Sequence, residues 1–147
     1  MTEMSHYADS SFLVSCYLLD ANTTQAKVWL SQTGVPLPFT ALRGLEVRNA
    51  FKLGVFRGLF TPAAGAAAWR NVERDLHSGR LVRTTVKWPV AFRFAARFSE
   101  RHSAIVGARS LDILHGAAAK ALRAAEFVSF DARQRTVAAA VGLRVAP

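Results

Sequence analysis

Four of the ten acidic residues stand where a carboxylate is unusual. Asp9 follows Tyr7-Ala8, which reads as the end of a short strand, and precedes Ser10-Ser11 and an apolar run. Asp131 follows a second strand-like segment, Glu126 to Phe130, and precedes a helix. Strand-to-helix junctions in parallel sheets are where ligands bind. Each of these aspartates also reads as a helix N-cap, worth about 1 kcal/mol. Glu46 lies four residues after Leu42, four before Ala50 and seven before Leu53. That spacing places it on an apolar helix stripe. A carboxylate there costs several kcal/mol unless paired, so a salt bridge to an Arg is the alternative. Asp112, within Ser110-Leu111-Asp112-Ile113-Leu114, falls in the first turn of a helix. It complements the helix dipole there, for about 0.3–1 kcal/mol. Its neighbours Leu111, Ile113 and Leu114 predict a packed turn.

If the four acids converge, they need a cation. Two unit charges at about 5 Å repel by roughly 3 kcal/mol at an effective dielectric of 20. Removing one acid is then expected to stabilise the metal-free chain slightly. An oxygen-only site suits Mg²⁺, or Mn²⁺, rather than Zn²⁺. Such an ion polarises a phosphodiester and activates a water, while Arg side chains hold neighbouring phosphates.

The elements that must position these acids alternate between strand and helix. After the first strand, Ser10-Ser11 open a helix through Leu19, and Thr23-Thr24 cap a second. Val35 to Phe39 is extended, with prolines that suit a strand start. Thr40 begins a helix over 41–57. Thr61-Pro62 opens another that runs to Ser78 and ends at Gly79. Leu81 to Trp88 reads as a strand. Pro89 opens a helix to about His102, and Ser110 caps one to about Ala124. Glu126 to Phe130 is a strand, Asp131 caps a helix to Val141, and Leu143 to Val145 is the last strand. The pattern predicts a single α/β domain over 1–147, with a mostly parallel sheet of four or five strands flanked by helices.

Composition narrows the partner. The 147 residues carry 19 Lys+Arg against 10 Asp+Glu, a formal charge of +9. Fifteen of the 19 are Arg, which suits bidentate phosphate contacts. Such a field attracts polyanions, of which nucleic acid is the commonest soluble one. The single cysteine, Cys16, excludes an internal disulfide and a thiolate metal cage, so a reducing, cytoplasmic setting is expected. Phe12 to Leu19 is too short to span a bilayer.

Arg93, Arg97 and Arg101 recur every four residues as one basic stripe beside Phe94 and Phe98, either an RNA-phosphate rail or a solvated face. Arg48, with Lys52, is a candidate for substrate contact or charge balance. His115, three residues after Asp112, either orients a carboxylate or is a hydrogen-bonded structural residue. Trp29, Phe51, Phe56, Phe60 and Trp69 read mostly as core, with some available for a homodimer face or a partner groove.

These segments are also similar to a known pattern. Tyr7-Ala8-Asp9-Ser10-Ser11 resembles the opening motif of PIN-domain nucleases. Glu46 within Leu45-Glu46-Val47-Arg48-Asn49-Ala50 resembles their second acidic motif. Arg109 to Ala118 resembles the third and Phe127 to Gln134 the fourth, in the family's order. Gly116 departs from the pattern, where a bulkier residue is commoner. The resemblance implies a PIN-like three-layer sandwich and a metal quartet of Asp9, Glu46, Asp112 and Asp131. It also implies a supporting Ser129, which strand alternation sets on the side of Asp131. It further implies a Mg²⁺-dependent endoribonuclease that leaves a 5′-phosphate and a 3′-hydroxyl. For a short chain it implies a VapC-type toxin, homodimeric and partnered by an antitoxin. Arg48, Arg93 and Arg97 are the candidate substrate contacts. The alternatives are a PIN-type RNA-processing nuclease outside a toxin pair and an RNA-binding protein without catalysis.

Overall fold

A computed structural model describes residues 5–147. Its contacts divide the chain into two compact units. The first holds the N-terminal segment through Asp9 together with residues 85–147. The second is the intervening stretch, Ser10–Thr84.

The first unit contains a parallel three-stranded sheet of β1 (His6–Ala8), β4 (Glu126–Val128) and β5 (Arg144–Ala146). Strand β4 is central, with Tyr7 opposite Phe127 and Phe127 opposite Val145. Tyr7, Ala8, Phe127 and Val128 are buried, so the inner positions of β1 and β4 are apolar as in covered parallel strands, while each strand opens on a polar residue, His6, Glu126 or Arg144. Around the sheet lie α5 (Trp88–Phe98), a π-helical turn (Ser99–Ser103), α6 (Ala104–Val106), α7 (Ser110–Ala121) and α8 (Ala132–Ala140). The core gathers Tyr7, Val86, Ala91, Ala118, Phe127, Ala138 and Leu143. The Tyr7 ring stacks on Phe127 at 5.5 Å, and its hydroxyl meets His115 Nδ1 at 2.8 Å. His115 is thus a buried, hydrogen-bonded residue of this core.

The second unit contains α1 (Ser10–Tyr17), α2 (Thr23–Thr33), β2 (Leu37–Phe39), α3 (Ala41–Phe56), α4 (Pro62–Ser78) and β3 (Leu81–Arg83). Strands β2 and β3 pair in parallel. Thr40 and Thr61 cap α3 and α4 by accepting the Arg43 and Ala64 N–H groups. Gly79 ends α4 at φ 80°, a left-handed conformation that glycine adopts without a Cβ clash. Gly54 is required by close approach: a Cβ there would stand 2.3 Å from the Phe60 ring.

The fold is α/β with parallel strands, as expected. Among the described residues five strands form two sheets, of three and two strands, where one sheet of four or five was expected. Strand β3 stops at Arg83 and does not reach Trp88, because its partner runs out. The Thr84 N–H still reaches Phe39 O, but the next residue on the other side, Thr40, caps α3. Strand β4 stops at Val128, short of the expected Phe130, and just past it the Ser129 carbonyl accepts from Arg135 Nη1 at 2.7 Å. Helix α7 begins one residue earlier than expected, with Arg109 at the N-cap and Ser110 inside the helix. Among the described residues no helix is long and apolar enough to cross a membrane.

Candidate functional site

Asp9, Asp112, Ser129 and Asp131 all belong to the first unit. Asp9 leaves β1 and Ser129 leaves β4, each one residue beyond its strand. The ladder continues just far enough to place them. Asp9 N–H donates to Val128 O at 2.9 Å, and Ser129 N–H to Ala146 O at 2.8 Å. Their side chains then meet, Ser129 Oγ donating to Asp9 Oδ2 at 2.5 Å. Asp9 is 3% exposed and Ser129 fully buried.

From Ser129 the network runs on into α8. Asp131 N–H donates to Ser129 Oγ at 3.0 Å. Ser129 and Asp131 are therefore coupled by a tight turn, since β4 ends before either of them and strand alternation does not extend to them. Asp131 caps α8, its Oδ1 accepting the Gln134 N–H at 3.0 Å. The Gln134 side chain crosses to α7, where Nε2 donates to Asp112 Oδ1 at 2.9 Å. Asp112 Oδ2 accepts the Arg109 N–H at 3.1 Å, which fastens the start of α7. Three of the four predicted acids thus lie on one hydrogen-bonded run: Asp9, Ser129, Asp131, Gln134, Asp112. The cap reading holds for Asp131, and Asp112 sits in the first turn of α7 as expected.

Glu46 is in the second unit. The buried stripe of α3 is Arg43, Val47, Phe51 and Gly54, rotated from the expected one. Leu45 and Leu53 face solvent accordingly. Glu46 sits half-buried beside that stripe and accepts from Ser10 Oγ at 2.9 Å. The fully buried charge on α3 is Arg43, whose Nη1 donates to Pro38 O at 3.4 Å. Leu111 is also corrected: it is 50% exposed, and the packed residue beside Asp112 is Ile113.

The basic candidates are exposed. Arg93 and Arg97 lie four apart on α5. Arg101 falls in the π-helical turn, whose wider winding takes it off the four-residue stripe. Phe94 and Phe98 stack at 5.8 Å. Arg48 lies over the Trp69 ring at 3.9 Å, a cation–π contact. Gly116 is buried, and a Cβ there would meet Val137 and Val141 of α8 and its end at an ordinary 3.6 Å.

A cavity of about 800 Å³ lies elsewhere, in the second unit, lined in part by Leu13, Cys16, Tyr17, Lys27, Arg74 and Asp75. Tyr17 OH donates to Asp75 Oδ2 at 2.8 Å. Burial pushes the Cys16 thiol up to about 12, with Asp20 and Asp75 adding to the shift and Lys27 opposing it. Cys16 is therefore a neutral thiol at ordinary pH and a poor nucleophile.

Gln134 and Arg135 belong to the network without standing out in the sequence. Gln134 stands three residues after a capping Asp, the spacing of a capping box, and that was the available signal. Arg135 had no such mark. Its Nη1 reaches the carbonyls of Ser129, Ala146 and Pro147, tying β4 to β5 beneath the site. Among the described residues no group of three or more His, Cys, Asp or Glu is gathered closely enough to hold a metal ion as it stands. Hydrogen bonds through Ser129 and Gln134 link the three aspartates. No protein-family model matches the chain, and no curated protein matches it.

Proposed function

We propose that Asp9, Asp112 and Asp131 hold a divalent cation, Mg²⁺ or Mn²⁺, and that the chain is a metal-dependent endoribonuclease of the PIN kind. The observation that supports this is the shared run of hydrogen bonds from Asp9 to Asp112, built from residues 9, 112, 129, 131 and 134. The donor set fits the ion: carboxylate, hydroxyl and amide oxygens, with neither thiolate nor imidazole among them. Bound there, such a cation would supply charge neutralisation at a phosphodiester and a more acidic water.

The chain's own residues have separate tasks. Ser129 fixes the Asp9 carboxylate by donating to it. Ser129 also accepts the Asp131 N–H, which sets the cap of α8. Gln134 keeps Asp112 oriented. Arg93, Arg97 and Arg48 offer exposed guanidinium groups to RNA phosphates. The resemblance favours a toxin of the VapC type, homodimeric, with an antitoxin partner, acting in the cytoplasm. Glu46, the fourth acid of the resemblance, is to be tested as a variant of its own.

A second reading is an RNA-binding protein without catalysis. It is favoured by Asp112 and Asp131 each capping a helix, which accounts for both without any ion. RNA cleavage separates the two. Cleavage that requires Mg²⁺, stops with EDTA and is lost in Asp9→Asn supports the nuclease. RNA binding with no cleavage at any Mg²⁺ concentration supports the second reading.

A further inference from the structure

Gln134 is 8% exposed, and its Oε1 is buried with no hydrogen-bond partner among the described residues. The reason is visible in the local geometry. In a capping box, the residue three after the cap reaches back to the N–H of the cap residue. Here Ser129 Oγ already accepts that N–H, on Asp131. The Gln134 side chain is displaced from its ordinary task and goes to Asp112 instead. The orientation of the amide follows from Asp112 being an acceptor, since only Nε2 can face it. Oε1 shares a carbon with Nε2, so it lies within an amide's width of the contact to Asp112, buried and with no hydrogen-bond partner among the described residues.

We infer that Gln134 Oε1 is an uncharged oxygen donor to the cation held by Asp9, Asp112 and Asp131. The inference rests on the proposed metal site and adds to it a ligand that no acidic motif supplies. An amide oxygen is a hard donor of the sort Mg²⁺ and Mn²⁺ accept. It adds coordination without adding repulsion to three carboxylates. It also gives a partner to an acceptor that otherwise has none.

The test is Mn²⁺ binding to the full chain, read by the loss of the free-ion electron paramagnetic resonance signal. The wild type is compared with Gln134→Leu and Gln134→Glu, and the melting temperature of each is recorded with and without Mn²⁺. The expected result for Gln134→Leu is an affinity about 10–100-fold lower. Gln134→Glu keeps an oxygen and loses both side-chain N–H donors, so it is expected to bind at least as tightly as the wild type. Its carboxylate faces Asp112, so its melting temperature rises more on adding Mn²⁺ than that of the wild type. Unchanged affinity in Gln134→Leu overturns the inference and leaves the metal site standing. Equal weakening in both variants shows that the N–H contacts matter and the oxygen does not, which also overturns it. If Gln134→Leu does not fold, Gln134→Glu decides by itself. A wild type that binds no Mn²⁺ overturns the metal site and the inference with it.

Discussion

Ser129 Oγ donates to Asp9 Oδ2 across 120 residues of chain, and both side chains are buried. The same hydroxyl accepts the Asp131 N–H. One oxygen therefore joins the end of β1 to the start of α8.

Ser129→Ala removes both bonds and leaves a buried carboxylate oxygen and a backbone N–H without that partner. The expected loss of stability is about 1–3 kcal/mol in urea unfolding. Ser129→Thr keeps the hydroxyl and should lose less. Equal losses in the two variants would show that volume matters at this position and the hydroxyl does not.

Replacing an acid is expected to weaken the metal-free chain. From sequence alone the opposite sign is expected, through relief of repulsion. The difference is that Asp112 accepts from Arg109 N–H and Gln134 Nε2, and Asp131 from Gln134 N–H. Asp112→Ala or Asp131→Ala should cost about 0.5–2 kcal/mol, the range for a lost cap. A rise in melting temperature in the presence of EDTA would mean that repulsion dominates.

Leu111→Ala should cost less than about 1 kcal/mol, because half of that side chain already faces water. Ile113→Ala, at a site 4% exposed, should cost about 2–5 kcal/mol. The reverse order in denaturant unfolding would contradict the placement of the α7 core face.

Stability should fall at alkaline pH. Burial first, then Asp20 and Asp75, raise Cys16 from 9.0 to about 12. Burial and the hydrogen bond to Asp75 raise Tyr17 as well. The folded chain keeps these protons where the unfolded chain releases them. The Cys16 contribution is whole below pH 9 and drains as pH climbs toward 12, and that of Tyr17 begins to drain only near pH 10. Each such proton gives a slope of about −1.4 kcal/mol per pH unit. Cys16→Ala should remove the part that begins near pH 9. Unfolding curves under reducing conditions between pH 8 and 10.5 (roughly the span where the slope develops) check it, and identical slopes in the two proteins would contradict it.

RNA binding should depend on salt through Arg93 and Arg97. If each neutralises one phosphate of a single strand, Arg93→Ala with Arg97→Ala should reduce the log–log salt slope by about 1.4. Arg101→Ala, off that stripe, should change it less. An unchanged slope in the double variant would remove α5 from the RNA surface.

Much of the fold was legible because local signals and packing agreed. Thr61-Pro62 and Gly79 marked the ends of α4, and Asp131 marked the start of α8. What failed was decided by partners distant in sequence. Strand β3 ends where β2 does, and just past β4 the Ser129 carbonyl goes to the Arg135 side chain. The α3 stripe is not legible from residue types, because the buried Arg43 is charged and the exposed Leu45 is apolar. Three site acids stood out through position and rarity. Gln134 did not, because its role follows from Ser129 occupying the bond a capping glutamine would otherwise make.

The most direct measurement is anomalous scattering from crystals of the chain soaked in Mn²⁺. A peak ringed by the Asp9, Asp112 and Asp131 carboxylates is expected, and none in Asp9→Asn crystals. A fully soaked crystal with those carboxylates still joined only through Ser129 and Gln134, and no peak among them, would contradict it.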